Sequence, residues 1–186
     1  MSSSRLIVPF VATPHNVVQR MLALANVRPG EIVYDLGAGD GRVISSAVHN
    51  FGAKALGVEL NGIRYNEIVE RLSREGIRDS ANVIRGDFLE INLAMADVAT
   101  LYLLTSVNSS IRPKLERELK PGSRVVSHDF PIRGWTPTRT EMVKDVHNTR
   151  HQIYLYQVPR SITAEKIKQK WWHYLRKRRV GISLNH

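Results

Sequence analysis

The stretch Val33-Tyr34-Asp35-Leu36-Gly37-Ala38-Gly39-Asp40-Gly41 decides the fold. It begins as a run of mainly apolar residues, which is typical of a strand buried in a sheet, and it ends in three closely spaced glycines. Glycine is required where the backbone turns tightly and approaches a ligand, because a Cβ would block that approach. The stretch therefore predicts a strand, a tight turn and a helix that together bind a nucleotide-like cofactor.

Strand-like and amphipathic segments alternate on both sides of this stretch. That order predicts an α/β fold with a largely parallel sheet. The predicted strands are residues 32–36, 55–59, 82–85, 98–104, 124–130 and 153–158, and the clearest predicted helices are 15–26 and 61–74. After Trp135-Thr136-Pro137 two strand-like segments follow without a clear helix between them, so we expect the sheet to end in an antiparallel hairpin.

Composition narrows the class of protein. The 186 residues suit a single core of ordinary size, which we assign to residues 1–159. No cysteine is present, which excludes disulfides, thiolate metal sites and a cysteine nucleophile, and no metal site is predicted. No apolar run approaches the ~20 residues of a membrane span, and the N-terminus lacks the features of a secretory signal. We therefore expect a cytoplasmic protein, and a monomer.

The net charge of +10 is concentrated in a tail. Residues 160–186 hold eight Lys or Arg against Glu165 alone, a net charge of +7. Thr163 is positioned to cap a basic amphipathic helix that reaches about Arg179. Such a helix could contact nucleic acid, lie on an anionic surface, or dock its apolar side on the core while keeping a basic exterior.

The acids that flank the glycine turn distinguish between cofactors. A dinucleotide loop reads G-x-G-x-x-G and places a pyrophosphate at the helix N-terminus, where a further carboxylate would repel it. Here the third glycine comes one residue early, and Asp35 and Asp40 flank the turn. S-adenosylmethionine (SAM) carries an ammonium and a sulfonium, which carboxylates attract. SAM is therefore the predicted cofactor, bound at Asp35, Gly37 and Gly39.

Two later strands supply further predicted cofactor contacts. Glu59 ends the second strand, about 20 residues after the turn, where an acid can accept hydrogen bonds from ribose hydroxyls. Asp87 follows the third strand and could pair with the adenine amino group, with Phe88 or Leu60 lining the ring. Each acid alone could be a solvated strand end or a turn residue. Their order at three successive strand ends favours one ligand-binding edge.

Several motifs, taken together, limit the resemblance of the chain to a smaller group of proteins. They are Val8-Pro9-Phe10-Val11-Ala12-Thr13-Pro14, the turn at 35–42, Gly57-Val58-Glu59, Leu103-Leu104-Thr105-Ser106-Val107-Asn108, Val126-Ser127-His128-Asp129-Phe130 and Arg133-Gly134-Trp135. Over residues 7–156 the chain resembles archaeal broad-specificity protein lysine methyltransferases and their mitochondrial relatives, which act on membrane carriers and ATP-synthase subunits. It departs from them at Phe10 and Ala12, where tyrosine and proline are usual.

This resemblance implies a Rossmann-like, seven-stranded class I methyltransferase fold and methyl transfer from SAM to the ε-amine of protein lysines. It adds Thr13 and Leu104 to the predicted cofactor contacts. The predicted catalytic residues, which would orient the amine, take its proton or line its channel, are Thr105, Asn108, Asp129 and Trp135.

The same four residues have structural alternatives. Thr105 could simply end a strand, Asn108 could cap a helix and Trp135 could fill the core. His128 and Asp129 are adjacent in a predicted strand, so alternation would point their side chains to opposite faces.

Two other functions remain open. One is an RNA or small-molecule methyltransferase that uses the basic tail to bind its substrate; the other is a non-enzymatic, SAM-responsive nucleic-acid binder. The residues after the fourth strand read Leu104-Thr105-Ser106-Val107. The motif Asn/Asp-Pro-Pro-Tyr/Phe, which would make the chain resemble methyltransferases that act on planar amides and bases, is absent there. Its absence favours an aliphatic amine as the acceptor.

Overall fold

The computed structural model describes residues 10–162, which form one seven-stranded sheet with helices on both faces. The strands are β1 (Ile32–Leu36), β2 (Lys54–Glu59), β3 (Ala81–Arg85), β4 (Val98–Leu101), β5 (Arg124–His128), β6 (Arg139–Lys144) and β7 (Arg150–Gln157). The helices are α1 (His15–Leu24), α2 (Arg42–Phe51), α3 (Gly62–Arg74) and α4 (Thr105–Glu118).

The strand order is β3-β2-β1-β4-β5-β7-β6. The first five of these are parallel, and β7 runs antiparallel to both β5 and β6. The predicted α/β fold with a terminal antiparallel hairpin is therefore confirmed. The order of the strands reverses beside β1, which is where open α/β sheets bind their ligands.

Two predicted strands are too long. The structure ends β4 at Leu101, because residues 102–104 leave the sheet and Leu104 becomes the N-cap of α4. It ends β5 at His128, because Asp129 adopts the left-handed conformation with φ 56°, which an extended strand does not allow. Both departures lie at the carboxyl edge of the sheet.

Side-chain alternation divides the core between the two faces of the sheet. On one face α1, α2 and α3 pack on strand residues such as Val33, Val98 and Val126. On the other face α4 packs on the alternate residues, together with Trp135 and Ile162. Parallel strands covered on both faces explain why the sequence shows nearly continuous apolar runs.

The described body extends slightly past the predicted boundary at residue 159. Ile162 forms an isolated β-bridge with Trp135, and both side chains are buried. Within residues 10–162 no helix is long and apolar enough to cross a membrane. The helix predicted from Thr163, like residues 1–9, lies outside the described residues.

Helix α3 begins at a side-chain cap that a mutation can test. The Asn61 side-chain oxygen accepts hydrogen bonds from the backbone N–H groups of Ile63, at 2.9 Å, and Arg64, at 3.2 Å. Asn61→Ala should lower the free energy of unfolding by about 1 kcal/mol, because those amides lose their partner. Asn66→Ala, at an exposed position inside the same helix, should be neutral or slightly stabilising. Equal losses for both variants in urea unfolding would contradict the cap.

Candidate functional site

A cavity of about 500 Å³ opens at the carboxyl edge of the sheet, beside the point where the strand order reverses. Its wall combines the glycine turn, the ends of β2 and β4, and the segment before α1. The lining residues are Phe10, Val11, Ala12, Thr13, Met21, Asp35, Gly37, Ala38, Gly39, Asp40, Arg42, Val43, Val58, Glu59, Leu60, Asn61, Arg64, Phe88, Leu101, Tyr102 and Leu103.

The glycine turn takes its shape from backbone conformations that other residues rarely adopt. Gly37, Gly39 and Gly41 have φ angles of 93°, 59° and 79°. The ring of Phe10 also packs closely on Gly39, and a Cβ at that position would force the ring to shift. The turn thus presents bare backbone to the cavity.

Glu59 fixes the turn relative to the neighbouring strand. One carboxylate oxygen accepts the Gly39 N–H at 2.8 Å, and the other accepts the Asn61 N–H at 2.8 Å. The side chain is buried in the cavity wall, at the end of β2. It therefore joins the glycine turn to the start of α3, besides offering its remaining lone pairs to a ligand.

Asp35 is a buried carboxylate at the end of β1. Its Oδ1 accepts a hydrogen bond from Thr100 Oγ1 at 2.7 Å. Burial raises the pKa of Asp35 to about 7; the Thr100 hydrogen bond opposes that rise, and the negative charges of Glu59 and Asp40 add to it. A cation in the cavity would stabilise the ionised form of Asp35 against both its burial and the neighbouring negative charges. The residues present therefore fit the ammonium and sulfonium of SAM.

Arg42 ties Asp40 to the segment that precedes α1. Its guanidinium donates to both Asp40 carboxylate oxygens, at 2.6–3.1 Å, and to the Thr13 carbonyl at 2.7 Å. Burial tends to raise the pKa of Asp40, but the hydrogen bonds and charge of Arg42 outweigh it and hold that pKa below its usual value. The segment also continues over the turn, where the guanidinium carbon of Arg64 lies 3.7 Å from the centre of the Phe10 ring.

Seven of the nine predicted cofactor residues line the cavity: Thr13, Asp35, Gly37, Gly39, Glu59, Leu60 and Phe88. Asp87 and Leu104 lie outside its wall. The Asp87 carboxylate accepts the Leu89 N–H at 2.8 Å and so shapes its own turn. Leu103 occupies the wall where Leu104 was predicted.

The four predicted catalytic residues also lie outside the cavity wall. Thr105 is the first residue of α4. Asn108 lies within α4 rather than at its cap, and its side chain is fully buried. The side-chain amide donates to the Phe130 carbonyl at 2.9 Å. Trp135 is buried against the Tyr156 ring, and its indole N–H donates to Glu116 at 2.9 Å. Asn108 thus fixes the segment after β5 that contains Phe130, and Trp135 packs in the core.

The prediction that His128 and Asp129 point to opposite faces is wrong. The left-handed conformation of Asp129 turns its side chain back, so that Asp129 Oδ2 lies 3.2 Å from His128 Nε2. His151 Nδ1 lies 2.9 Å from His128 Nε2 and 3.3 Å from Asp129 Oδ2. Burial lowers the pKa of His128 to about 4, although the charge of Asp129 opposes this effect.

This group of three side chains meets the cavity wall through two residues. His128 Nδ1 lies 3.1 Å from the Thr13 hydroxyl oxygen, and the His128 and Tyr102 rings contact each other at a tilt of 30°, with 3.9 Å between their centres. Tyr102, Arg42, Arg64 and His151 were not among the site residues predicted from the sequence. Tyr102 directly follows the apolar core of the fourth strand, a position that could have indicated it. Nothing local in the sequence indicates His151.

Comparison with known proteins identifies the family. Residues 35–139 match the ANTKMT methyltransferase domain. A protein-lysine N-methyltransferase of Saccharolobus islandicus is 48% identical over 152 residues, which are 81% of this chain and 94% of that protein. The mouse adenine nucleotide translocase lysine N-methyltransferase is 37% identical over 72% of this chain and 58% of its own length.

Among solved structures, an RNA methyltransferase from Salinibacter ruber bound to S-adenosyl-L-homocysteine superposes with a TM-score of 0.76. It is 38% identical and covers 83% of this chain and 97% of its own. S-adenosyl-L-homocysteine is the product left when SAM loses its methyl group, so the cofactor class agrees with the carboxylate-lined cavity. The chain is a class I SAM-dependent methyltransferase and belongs to the ANTKMT methyltransferase domain family.

Proposed function

We propose that this enzyme methylates the ε-amine of lysine side chains in proteins, with little selectivity for the sequence around the lysine. The observation that carries the proposal is the 48% identity to an archaeal protein-lysine N-methyltransferase, which extends over 94% of that protein. SAM supplies the electrophilic methyl group. The protein must then hold the donor, admit a neutral amine and exclude water.

Three carboxylates would hold the donor. Asp35 and Asp40 offer negative charge to its cationic groups, and Glu59 can accept hydrogen bonds from its ribose. Phe88 and Leu60 offer apolar surface to its adenine ring. The Asp87 contact with adenine, and the Leu104 contact, would each require a shift of the backbone that follows β3 or β4, since neither residue lines the described cavity.

The acceptor would enter beside the end of β4, where Tyr102 and Leu103 complete the wall. A lysine must lose a proton, and its ordinary pKa of about 10.4 makes the charged form dominant near neutral pH. Aromatic and apolar surface at the entrance disfavours that charged form by desolvation. In this proposal Thr105 and Asp129 border the entrance, while Asn108 and Trp135 act by positioning residues 128–135.

RNA is the second candidate acceptor. The solved relative at 38% identity is an RNA methyltransferase by name, and residues 160–186 of this chain have a net charge of +7. A basic segment of this kind supplies sequence-independent affinity for phosphates. The segment after β4 nevertheless lacks the acceptors that clamp a planar base, which favours lysine.

The acceptor can be identified by mass spectrometry. The purified enzyme is incubated with SAM and a panel of basic proteins and RNA, and peptides are then mapped for methylated residues. We expect methyl groups on lysine side chains, because a deprotonated alkyl amine is a good nucleophile without further activation. Methyl groups confined to RNA would instead establish the second candidate.

A matched variant controls for contaminating enzymes. Glu59→Gln keeps the shape of the side chain but replaces a carboxylate that accepts two backbone hydrogen bonds. Removing charge-assisted hydrogen bonds at the cofactor site should lower methylation at least tenfold. Glu67→Gln, at an exposed position of α3, should behave as the wild type. Undiminished methylation by Glu59→Gln would show that the signal does not come from this cavity.

The affinity for SAM should depend on pH. Because burial raises the pKa of Asp35 to about 7, a growing fraction of the ligand-free protein carries a neutral Asp35 as the pH falls from 8 to 6. A cationic ligand prefers the ionised carboxylate, so Kd should rise by up to about tenfold per pH unit below 7. Calorimetric titrations at several pH values measure this dependence.

Asp35→Asn removes the titrating group. This variant should bind SAM more weakly at pH 8, and its Kd should be nearly flat between pH 6 and 7, where the α-amino group of SAM stays protonated. Asp79→Asn, at an exposed loop position, should retain the wild-type profile. A wild-type Kd that does not change across this range would contradict the assigned role of Asp35.

We further propose that the enzyme works as a cytoplasmic monomer and that the basic tail assists encounter with polyanions rather than catalysis. A truncation that tests this should begin at Thr163, because Ile162 pairs with Trp135. Deleting residues 163–186 should abolish salt-dependent retention on nucleic acid while lysine methylation continues. Loss of methylation by a truncated protein with an unchanged melting temperature would make the tail part of the acceptor site.

A further inference from the structure

The side chains of His128, Asp129 and His151 converge beside the cofactor cavity without lining it. His128 Nε2, His151 Nδ1 and Asp129 Oδ2 form a triangle with sides of 2.9, 3.2 and 3.3 Å. Nitrogen and oxygen ligands of one Zn²⁺ ion lie at about 2.1 Å from it, and neighbouring ligands are then about 3.0–3.4 Å apart in octahedral or tetrahedral arrangements. The three atoms have the spacing of a ligand set.

Two carboxylates near the triangle, those of Asp129 and Asp145, each have one oxygen that accepts hydrogen bonds from the backbone. Asp129 Oδ1 accepts the Gln152 N–H at 2.7 Å, which leaves Oδ2 directed at the triangle. Asp145 Oδ1 accepts the N–H groups of His147 and Thr149, at 2.9 and 2.8 Å, and its Oδ2 lies 3.5 Å from His151 Nε2. The two carboxylates therefore have fixed and different places, one in the triangle and one behind it.

The outer nitrogen of each histidine has a polar neighbour. His128 Nδ1 lies 3.1 Å from the Thr13 hydroxyl, and His151 Nε2 faces the Asp145 carboxylate. Histidines that bind a metal commonly direct the second ring nitrogen at such a hydroxyl, carbonyl or carboxylate, which fixes the tautomer. A carboxylate can only accept, so a proton on His151 Nε2 would point at Asp145 and leave a lone pair on Nδ1.

In that tautomer, the three atoms of the triangle share at most one proton. His151 Nδ1 and Asp129 Oδ2 then both present lone pairs, and only His128 Nε2 could supply a single N–H between them. Three lone-pair atoms that converge on one point form an arrangement that a cation placed among them would stabilise. His128 is fully buried, whereas the Asp129 side chain is 28% exposed, so an ion could enter from that side and keep contact with water.

We propose that His128, Asp129 and His151 bind a divalent transition-metal ion, with Zn²⁺ as the best match to two imidazoles and one carboxylate. Solvent completes the coordination on the exposed side of Asp129. The site joins the end of β5 to β7 and, through Thr13, to the segment that closes the cofactor cavity. The ion is separated from the cavity by Thr13 and Tyr102, so we assign it a structural role there.

Zinc binding is tested directly, without reference to methyl transfer. Full-length protein without a histidine tag is stripped with a chelator, dialysed and titrated with Zn²⁺ in a calorimeter. We expect one ion per chain, a rise in melting temperature on binding, and visible absorption bands when Co²⁺ replaces Zn²⁺. Because the readout is metal binding, failure here would leave the proposed lysine methylation untouched.

Two variants locate the site. His151→Ala and Asp129→Asn should each weaken Zn²⁺ binding about 100-fold or more, because loss of even an outer-shell partner of a ligand costs about 10–100-fold. His49→Ala, which removes an exposed histidine paired with Glu75, should bind as the wild type does. Far-UV circular dichroism establishes folding, and Asp129→Asn carries the test if His151→Ala does not fold. Absence of stoichiometric binding by the wild type, or undiminished binding by both variants, would overturn the proposal.

Discussion

The in-register parallel pairing of β1 with β2 and β4 is the constraint on which the site depends. That register sets Asp35 opposite Gly57 on one side and Thr100 on the other, so the carboxylate lies next to the Thr100 hydroxyl that donates to it. Just past the paired residues, the N–H groups of Gly37 and Ala38 both donate to the Val58 carbonyl. A slip of one residue would move Asp35 to the opposite face and break the turn, so fold and cofactor site are specified together.

The same arrangement places three carboxylates, those of Asp35, Asp40 and Glu59, in the wall of one cavity. Arg42 pairs with Asp40, whereas within residues 10–162 Asp35 has a hydrogen bond from the Thr100 hydroxyl and lies near two other carboxylates. A buried carboxyl in that position destabilises the ligand-free protein as the pH rises from about 4 to 7, because ionisation is easier in the unfolded chain. A cationic cofactor reverses this effect. Affinity for SAM and the stability of the empty site are therefore opposed, and the binding energy offsets the unfavourable ionisation.

Local sequence signals indicated seven residues that line the cavity, but not the cluster of His128, Asp129 and His151 beside it. The glycine turn, Asp35 and Glu59 could be found because each lies within a few residues of a strand end that the apolar pattern marks. His151 meets Asp129 only through the antiparallel pairing of β5 with β7, across more than 20 residues. The alternation rule failed at Asp129 because it applies to extended backbone, and β5 ends one residue earlier. Conformations at strand ends and pairings across a hairpin are set by the whole fold.

The placement of Asn108 and Trp135 bears on how such an enzyme could choose its acceptor. Both side chains are buried and use their polar groups on the protein itself, on the Phe130 carbonyl and on Glu116. At the acceptor entrance that we propose, the end of β4 contributes Tyr102 and Leu103 to the cavity wall. A planar base needs several directed hydrogen bonds before its amino group can react, whereas an alkyl amine needs desolvation and alignment. A wall with few directed groups suits the amine, and it gives little basis for selecting one lysine over another.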